Sequence, residues 1–116
     1  MENSNTRVRI KVWIECETGE TLFGEGQLKI LEAIENYGSI SAAAKSMRMG
    51  YRSMWGRLKK IEQRMGKPLL IRQKGGVSGG QSILTPEAKV MVHRFKQLQV
   101  RLNDVSGKIF KDIYLG

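Results

Sequence analysis

The strongest constraint on the fold comes from three stretches of helically spaced apolar residues, separated by turns, in the middle of the chain. In the first stretch leucine or isoleucine recurs every third residue, which predicts a helix over about residues 26–36 with Gly38 as a left-handed cap. A short alanine-rich stretch predicts a second helix over about residues 41–47. A third helix is predicted over about residues 51–65, after the tight turn Arg48-Met49-Gly50. This order of elements is typical of a helix-turn-helix motif.

Alternating apolar and polar residues predict short strands on both sides of these helices. Residues 7–15 alternate with period two, which predicts a half-buried strand, and residues 21–23 can return beside it after a turn. Residues 69–73 and 82–84 predict a hairpin with a glycine-rich tip. This hairpin would stand beside the helix-turn-helix as a wing.

The last segment predicts one long helix over about residues 86–114, with Thr85 as its cap and Pro86 in its first turn. Its apolar residues recur at alternating steps of four and three, which is the spacing of a coiled-coil seam. We expect two copies of this helix to pair into a homodimer, and the alternative is that the seam packs on its own domain. The predicted dimerisation residues are Met91, Phe95, Leu98, Leu102, Val105 and Ile109.

Positive charge is concentrated in one part of the sequence. The chain has 20 lysines and arginines against 11 acids, and ten of these basic residues lie between Lys45 and Lys74, where Glu62 is the only acid. The remainder of the chain has no net charge. Such segregation favours a polyanionic partner, because cations paired with phosphates release condensed counterions. The alternative is a solvated basic face without a partner.

Together these patterns predict a single winged helix-turn-helix domain over residues 1–116, mainly α with a small β component. Its parts are an N-terminal strand or hairpin (7–23), the helix-turn-helix and wing (26–84) and a long C-terminal dimerisation helix (85–114). The single cysteine and single histidine exclude a disulfide framework and a Cys/His zinc site, and they leave no evident catalytic pair for an enzyme. Without an apolar run that spans a bilayer or forms a signal region, the chain is expected to be cytoplasmic, with no membrane partner, metal or cofactor.

Several short motifs in these elements occur together in one known family. They are KVW at 11–13, FGEG at 23–26, GSISAAAK at 38–45, MGYRSMW at 49–55, GKPL at 66–69, GGVSGG at 75–80 and LT at 84–85. Over about residues 8–94 the sequence resembles the N-terminal DNA-binding domain of the molybdate-responsive (ModE-type) regulators, a relative of the LysR-type winged helix-turn-helix. The resemblance implies a cytoplasmic, dimeric, sequence-specific DNA-binding transcriptional regulator. No residues match the oxyanion-binding β-barrel domains of that family, so molybdate binding is not expected from this chain alone.

The candidate contacts to double-stranded DNA follow from the geometry of the motif. The helix after the turn enters the major groove with its N-terminal residues at the base edges, and the basic residues around it contact phosphates. Trp55 lies one residue from the apolar stripe, so it either packs in the core or reaches the DNA backbone. The predicted contact residues are Ser39, Ser41, Tyr51, Arg52, Ser53, Trp55, Arg57, Lys59, Lys60, Arg72, Lys74, Gly76 and Ser78.

Two other functions share the charge pattern. An RNA-binding or ribosome-associated protein would also be basic, but Tyr51 and Trp55 are the only aromatic residues in the basic segment, which is a poor supply for stacking unpaired bases. A protein-interaction module that uses the winged helix as a scaffold is the third possibility.

Overall fold

Four helices and two short antiparallel hairpins form the part of the chain that the structure describes, residues 5–73 and 80–116 of a computed structural model. The elements are β1 (Ile14–Glu15), β2 (Thr21–Phe23), α1 (Glu25–Tyr37), α2 (Ile40–Ser46), α3 (Tyr51–Met65), β3 (Leu70–Gln73), β4 (Gln81–Leu84) and α4 (Pro86–Phe110), followed by a π-helical turn, Lys111–Leu115. β1 pairs with β2 and β3 pairs with β4. The predicted fold class, mainly α with a helix-turn-helix, a wing and a long last helix, is confirmed.

Glycines and a serine set the helix ends of the helix-turn-helix. Gly38 follows α1 with φ 79°, a left-handed conformation that favours glycine. Ser39 then caps α2, because its hydroxyl accepts a hydrogen bond from the Ala42 amide at 3.0 Å. α3 spans the predicted residues and ends before Gly66, which also has a left-handed φ of 69°.

The core lies where the three helices of the motif meet β2 and the first half of α4. Met54, Leu58 and Ile61 of α3, spaced four and three residues apart, form a buried stripe there, while Met65, four residues further on, is only half-buried. Phe23 packs edge-on against Phe95 of α4, with ring centroids 5.0 Å apart. The buried stripe of α3 fixes the rotation of that helix about its axis, so its remaining faces are turned to solvent.

Hydrogen bonds fix the wing to the helices. The Ser82 amide of β4 donates to the Gly38 carbonyl at 2.8 Å. The Thr85 hydroxyl accepts from the Ala88 amide at 3.2 Å and donates to the Pro68 carbonyl at 2.9 Å, so one side chain caps α4 and holds the start of the wing. The base of the wing therefore has a defined position relative to α1 and α4.

The N-terminal strand is shorter than predicted. The alternating pattern covers residues 7–15, but only Ile14–Glu15 forms a strand, and its pairing with β2 is irregular. Ile10 and Ile14 are 40% and 39% exposed, while Val12 is packed against the core. The physical reason is the shortness of β2, which has three residues and cannot pair with a longer strand.

Candidate nucleic-acid interface

The first turn of α3 is presented to solvent. Tyr51, Arg52 and Ser53 are exposed, whereas Met54 is fully buried. Because the buried stripe orients the helix, these three side chains are exposed at the N-terminal end of α3, which is the end that contacts base edges in helix-turn-helix proteins. The structure thus brings together three of the residues that the sequence predicts as DNA contacts.

Three cations on α3 are turned outward. Arg52, Arg57 and Lys60 are exposed, and none of them forms an ion pair with another residue in the described ranges. The Gly56 position between them is also exposed and has no side chain. This face therefore has cations that phosphates can reach without displacing an internal carboxylate.

A second group of cations lies where α3 meets the wing. The Lys59 ammonium lies 4.6 Å and the Arg72 guanidinium carbon 4.8 Å from the centroid of the Trp55 ring. Arg72 also donates a hydrogen bond from Nη2 to the Tyr51 hydroxyl at 3.2 Å. We call these four residues the Trp55 cluster. Trp55 is half-buried and packs against the core, as the first of its two predicted interpretations requires.

Two charged residues of the basic segment have internal roles that the sequence alone does not reveal. Arg64 donates to the Thr21 carbonyl and pairs with the Glu20 carboxylate at 2.8 Å, which ties the end of α3 to the β1–β2 hairpin. Glu62 accepts from the Leu69 amide at 2.8 Å and lies 3.4 Å from Lys59. The isolation of Glu62 among cations was the available signal that this acid is structural.

The remaining predicted contacts have different surroundings. Ser41 is exposed, but the Ser39 hydroxyl is already engaged as the α2 cap. Arg72 is exposed on β3. The other predicted wing residues, Lys74, Gly76 and Ser78, lie outside the described residues.

The predicted dimerisation residues form a row along α4. Phe95 is buried and Met91 packs against the core, so the start of the seam belongs to this domain. Farther along, the seam is partly exposed: Leu98 is 36%, Leu102 38%, Val105 50% and Ile109 53% exposed. Glu32 pairs with Lys96, and the Gln99 amide donates to Glu25 at 2.6 Å, so α4 is fastened to α1 beside this row.

Within residues 5–73 and 80–116, no group of three histidine, cysteine or acidic side chains could hold a metal ion. In the same ranges no helix has both the length and the apolar character needed to cross a bilayer. The candidate site is therefore a surface, made of an exposed helix end, exposed cations and the base of a wing. In helix-turn-helix proteins the helix after the turn, here α3, is called the recognition helix. An exposed recognition helix flanked by a wing defines the class of winged helix-turn-helix proteins that bind nucleic acid.

Comparison with known proteins defines this class further. Residues 26–89 match the family described as "Bacterial regulatory helix-turn-helix protein, lysR family". The chain belongs to this family. The fold and the family together confirm the predicted class, a DNA-binding transcriptional regulator of the helix-turn-helix type.

Curated relatives confirm the resemblance to the ModE-type regulators. The chain is 29% identical to the "Molybdenum transport protein ModE" of Azotobacter vinelandii, over 88% of this chain and 42% of that protein. It is 33% identical to the "Transcriptional regulator ModE" of Haemophilus influenzae, over 63% of this chain and 29% of that protein. The chain thus spans less than half the length of these relatives.

A solved structure shows the same fold at low sequence identity. The crystal structure of ArgP from Mycobacterium tuberculosis matches with a TM-score of 0.52 and 22% identity, over 79% of this chain and 31% of that chain. The matched region is large enough to contain the helix-turn-helix and the wing.

Proposed function

We propose that this chain binds double-stranded DNA sequence-specifically, with α3 in the major groove. Tyr51, Arg52 and Ser53 contact base edges, with Arg52 able to donate two hydrogen bonds to a guanine. Arg57, Lys59 and Lys60 contact phosphates and set affinity and register. The observation on which the proposal rests is the exposed first turn of α3, next to Arg57 and Lys60, which form no ion pair with a described acid.

In this proposal the wing contacts an adjacent stretch of the backbone or the minor groove. Arg72 reaches it from β3, and Lys74, Gly76 and Ser78 follow in the wing sequence. Ser41, exposed in the first turn of α2, faces a neighbouring phosphate, whereas Ser39 contributes through its capped helix end. Trp55 packs against the core, so in this proposal it affects DNA binding through its neighbours and not by direct contact.

Selection of duplexes from a random pool tests the proposal. We expect an enriched sequence that binds more tightly than a scrambled duplex of equal length and that a single-stranded RNA competitor does not displace. Enrichment without a shared sequence would contradict base reading. Preferential displacement by the RNA would favour the RNA-binding alternative.

We further propose a homodimer in which the exposed part of the α4 seam packs against its copy. The support is a row of four exposed apolar residues at heptad spacing, on a helix of 25 residues. Pairing would remove this row from water and place two recognition helices on one face of the DNA.

The location and the ligands of the protein are also proposals. A regulator that acts on bacterial genes works in the cytoplasm, and cell fractionation tests this location. We propose no enzymatic activity and no cofactor for this chain. Calorimetry with molybdate should show no binding by the chain alone, and measurable heat of binding would overturn that expectation.

A further inference from the structure

The Trp55 cluster joins the recognition helix to the wing through side chains alone. Tyr51, Trp55 and Lys59 follow one another at four-residue steps and therefore lie along one side of α3. Arg72 comes from β3, 21 residues after Tyr51, and contacts both aromatic side chains. A wing residue is thus oriented by two residues of the recognition helix.

Two cations of the cluster lie against one aromatic ring. Lys59 and Arg72 both lie within 5 Å of the centroid of one indole ring, at 4.6 and 4.8 Å, where the negative face of the ring attracts cations. Glu62 neutralises part of the Lys59 charge, but no described carboxylate pairs with Arg72. Because Arg72 is exposed and Glu62 already lies 3.4 Å from Lys59, Arg72 is the cation of the cluster that a phosphate can bind without displacing a described carboxylate.

We infer that Trp55 and Tyr51 are positioning residues, which hold Arg72 in place for a DNA backbone phosphate at the junction of α3 and the wing. This inference rests on the proposed function and deepens it. The Tyr51 hydroxyl accepts from Arg72 Nη2, and a guanidinium has further N–H donors for a phosphate. Because a preorganised arginine loses less freedom on binding, its contact contributes more to affinity than that of a mobile one.

The inference predicts that Trp55 acts on DNA through Arg72, which a double-mutant cycle can measure. We expect Trp55→Leu and Arg72→Ala each to weaken binding to the selected duplex about three- to tenfold. The affinity of the double variant should be within about twofold of that of Arg72→Ala, because Trp55 has no further effect once Arg72 is absent. Trp55→Phe should retain most of the affinity, since a phenyl ring still attracts cations.

The salt dependence of binding separates positioning from a general loss of structure. Trp55→Leu leaves every charge in the chain unchanged, yet its logarithmic salt slope should fall by about one unit as Arg72 loses its phosphate. Trp13→Leu removes the other tryptophan, which is half exposed beside β1 and donates from its indole N–H to Glu15 at 3.0 Å, and should leave affinity and slope unchanged. Thermal melting checks that each variant is folded.

A measurement without DNA tests the cluster itself. In the Trp13→Phe background the fluorescence reports Trp55 alone, and nearby cations concentrate iodide around the ring. Arg72→Ala should lower quenching by iodide while quenching by neutral acrylamide does not fall. An unchanged iodide response would show that the contact between Arg72 and Trp55 does not exist in solution.

The outcomes distinguish this inference from the proposed function. If the unsubstituted protein selects no duplex, the proposed function fails, and the positioning role fails with it. If that protein binds its duplex but the effects of Trp55→Leu and Arg72→Ala multiply, the two residues act independently. In that case the positioning role is wrong and the proposed function stands.

Discussion

Cations of equal formal charge have different surroundings in this domain. Arg64 is fastened to the β1–β2 hairpin, Arg72 is held by two aromatic side chains, and Arg52 is exposed without an ion pair among the described residues. The net charge of the basic segment therefore overstates the number of cations available to DNA. In the proposed complex, the position of a cation along α3 decides whether it contacts bases or phosphates.

Replacement of Arg52 tests base reading. Arg52→Ala should weaken binding to the selected duplex by about 1–3 kcal/mol more than binding to a scrambled duplex, because a bidentate contact to a base is lost only on the correct sequence. Fluorescence anisotropy at fixed salt gives both affinities. Unchanged preference for the selected duplex would show that Arg52 does not read a base.

Lys60 and Arg64 form a matched pair for the phosphate contacts, since each loses one positive charge on replacement by alanine. Lys60→Ala should weaken specific and scrambled duplexes equally and lower the logarithmic salt slope by about one unit. Arg64→Ala should leave the slope unchanged and lower the melting temperature, because it loses hydrogen bonds to Glu20 and Thr21. The opposite pattern would mean that Arg64, not Lys60, faces the DNA.

At the scale of elements, sequence patterns predicted what depends on near neighbours. The apolar stripe and the flanking turn predicted α3 over 51–65, the range that the structure shows, and Gly38 was correctly placed as a left-handed cap. The N-terminal strand was predicted too long, because a period-two pattern shows which side chains share a face but not whether a partner strand exists beside them.

The candidate site, like the fold, was predictable only where it depends on residues near one another in the sequence. The exposed first turn of α3 follows from the position of the buried stripe within one helix. The contacts of Arg64 with Glu20 and of Arg72 with Tyr51 join residues 44 and 21 positions apart, so they depend on tertiary packing that no local pattern contains. The sequence therefore predicted which turn of α3 is exposed, but not which side chains the arginines around it contact.

Replacement of two glycines by alanine should change the stability of the protein in opposite directions, because their backbone conformations differ. Gly56→Ala should stabilise the protein by about 0.5–1 kcal/mol, because the residue lies inside α3 and an added Cβ meets nothing within 4 Å. Gly38→Ala has equal space but should destabilise it by about 1–2 kcal/mol, because φ is 79° there. Urea unfolding measures both changes. Equal effects of the two substitutions would contradict the assigned backbone conformations.

At the scale of the whole molecule, α4 extends the domain beyond its core. The described residues have principal extents of 60 × 31 × 23 Å, and the apolar row lies on the part of α4 beyond Phe95. Exposed apolar residues in a regular row mark an interaction surface more often than isolated ones do. Dimerisation through this row would account for its spacing and its exposure together.

Leu102 and Val100 provide a charge-matched test of the dimer. Leu102→Asp places a carboxylate in the seam and should shift the protein to monomer, whereas Val100→Asp, on another face and 67% exposed, should leave the dimer intact. Sedimentation velocity from low to high micromolar concentration measures this difference. If the unsubstituted protein is monomeric at high micromolar concentration, the proposed dimer is wrong.

Dimerisation also predicts the form of the DNA site. Two recognition helices related by a two-fold axis require an inverted repeat, with half-sites about 34 Å apart, or a multiple of that distance, so that both helices meet the same face of the duplex. Leu102→Asp should therefore bind an isolated half-site as the unsubstituted protein does, yet lose the gain in affinity that the full repeat gives. Val100→Asp should keep that gain. A selected site without symmetry, bound equally by both variants, would show that one domain reads its DNA alone.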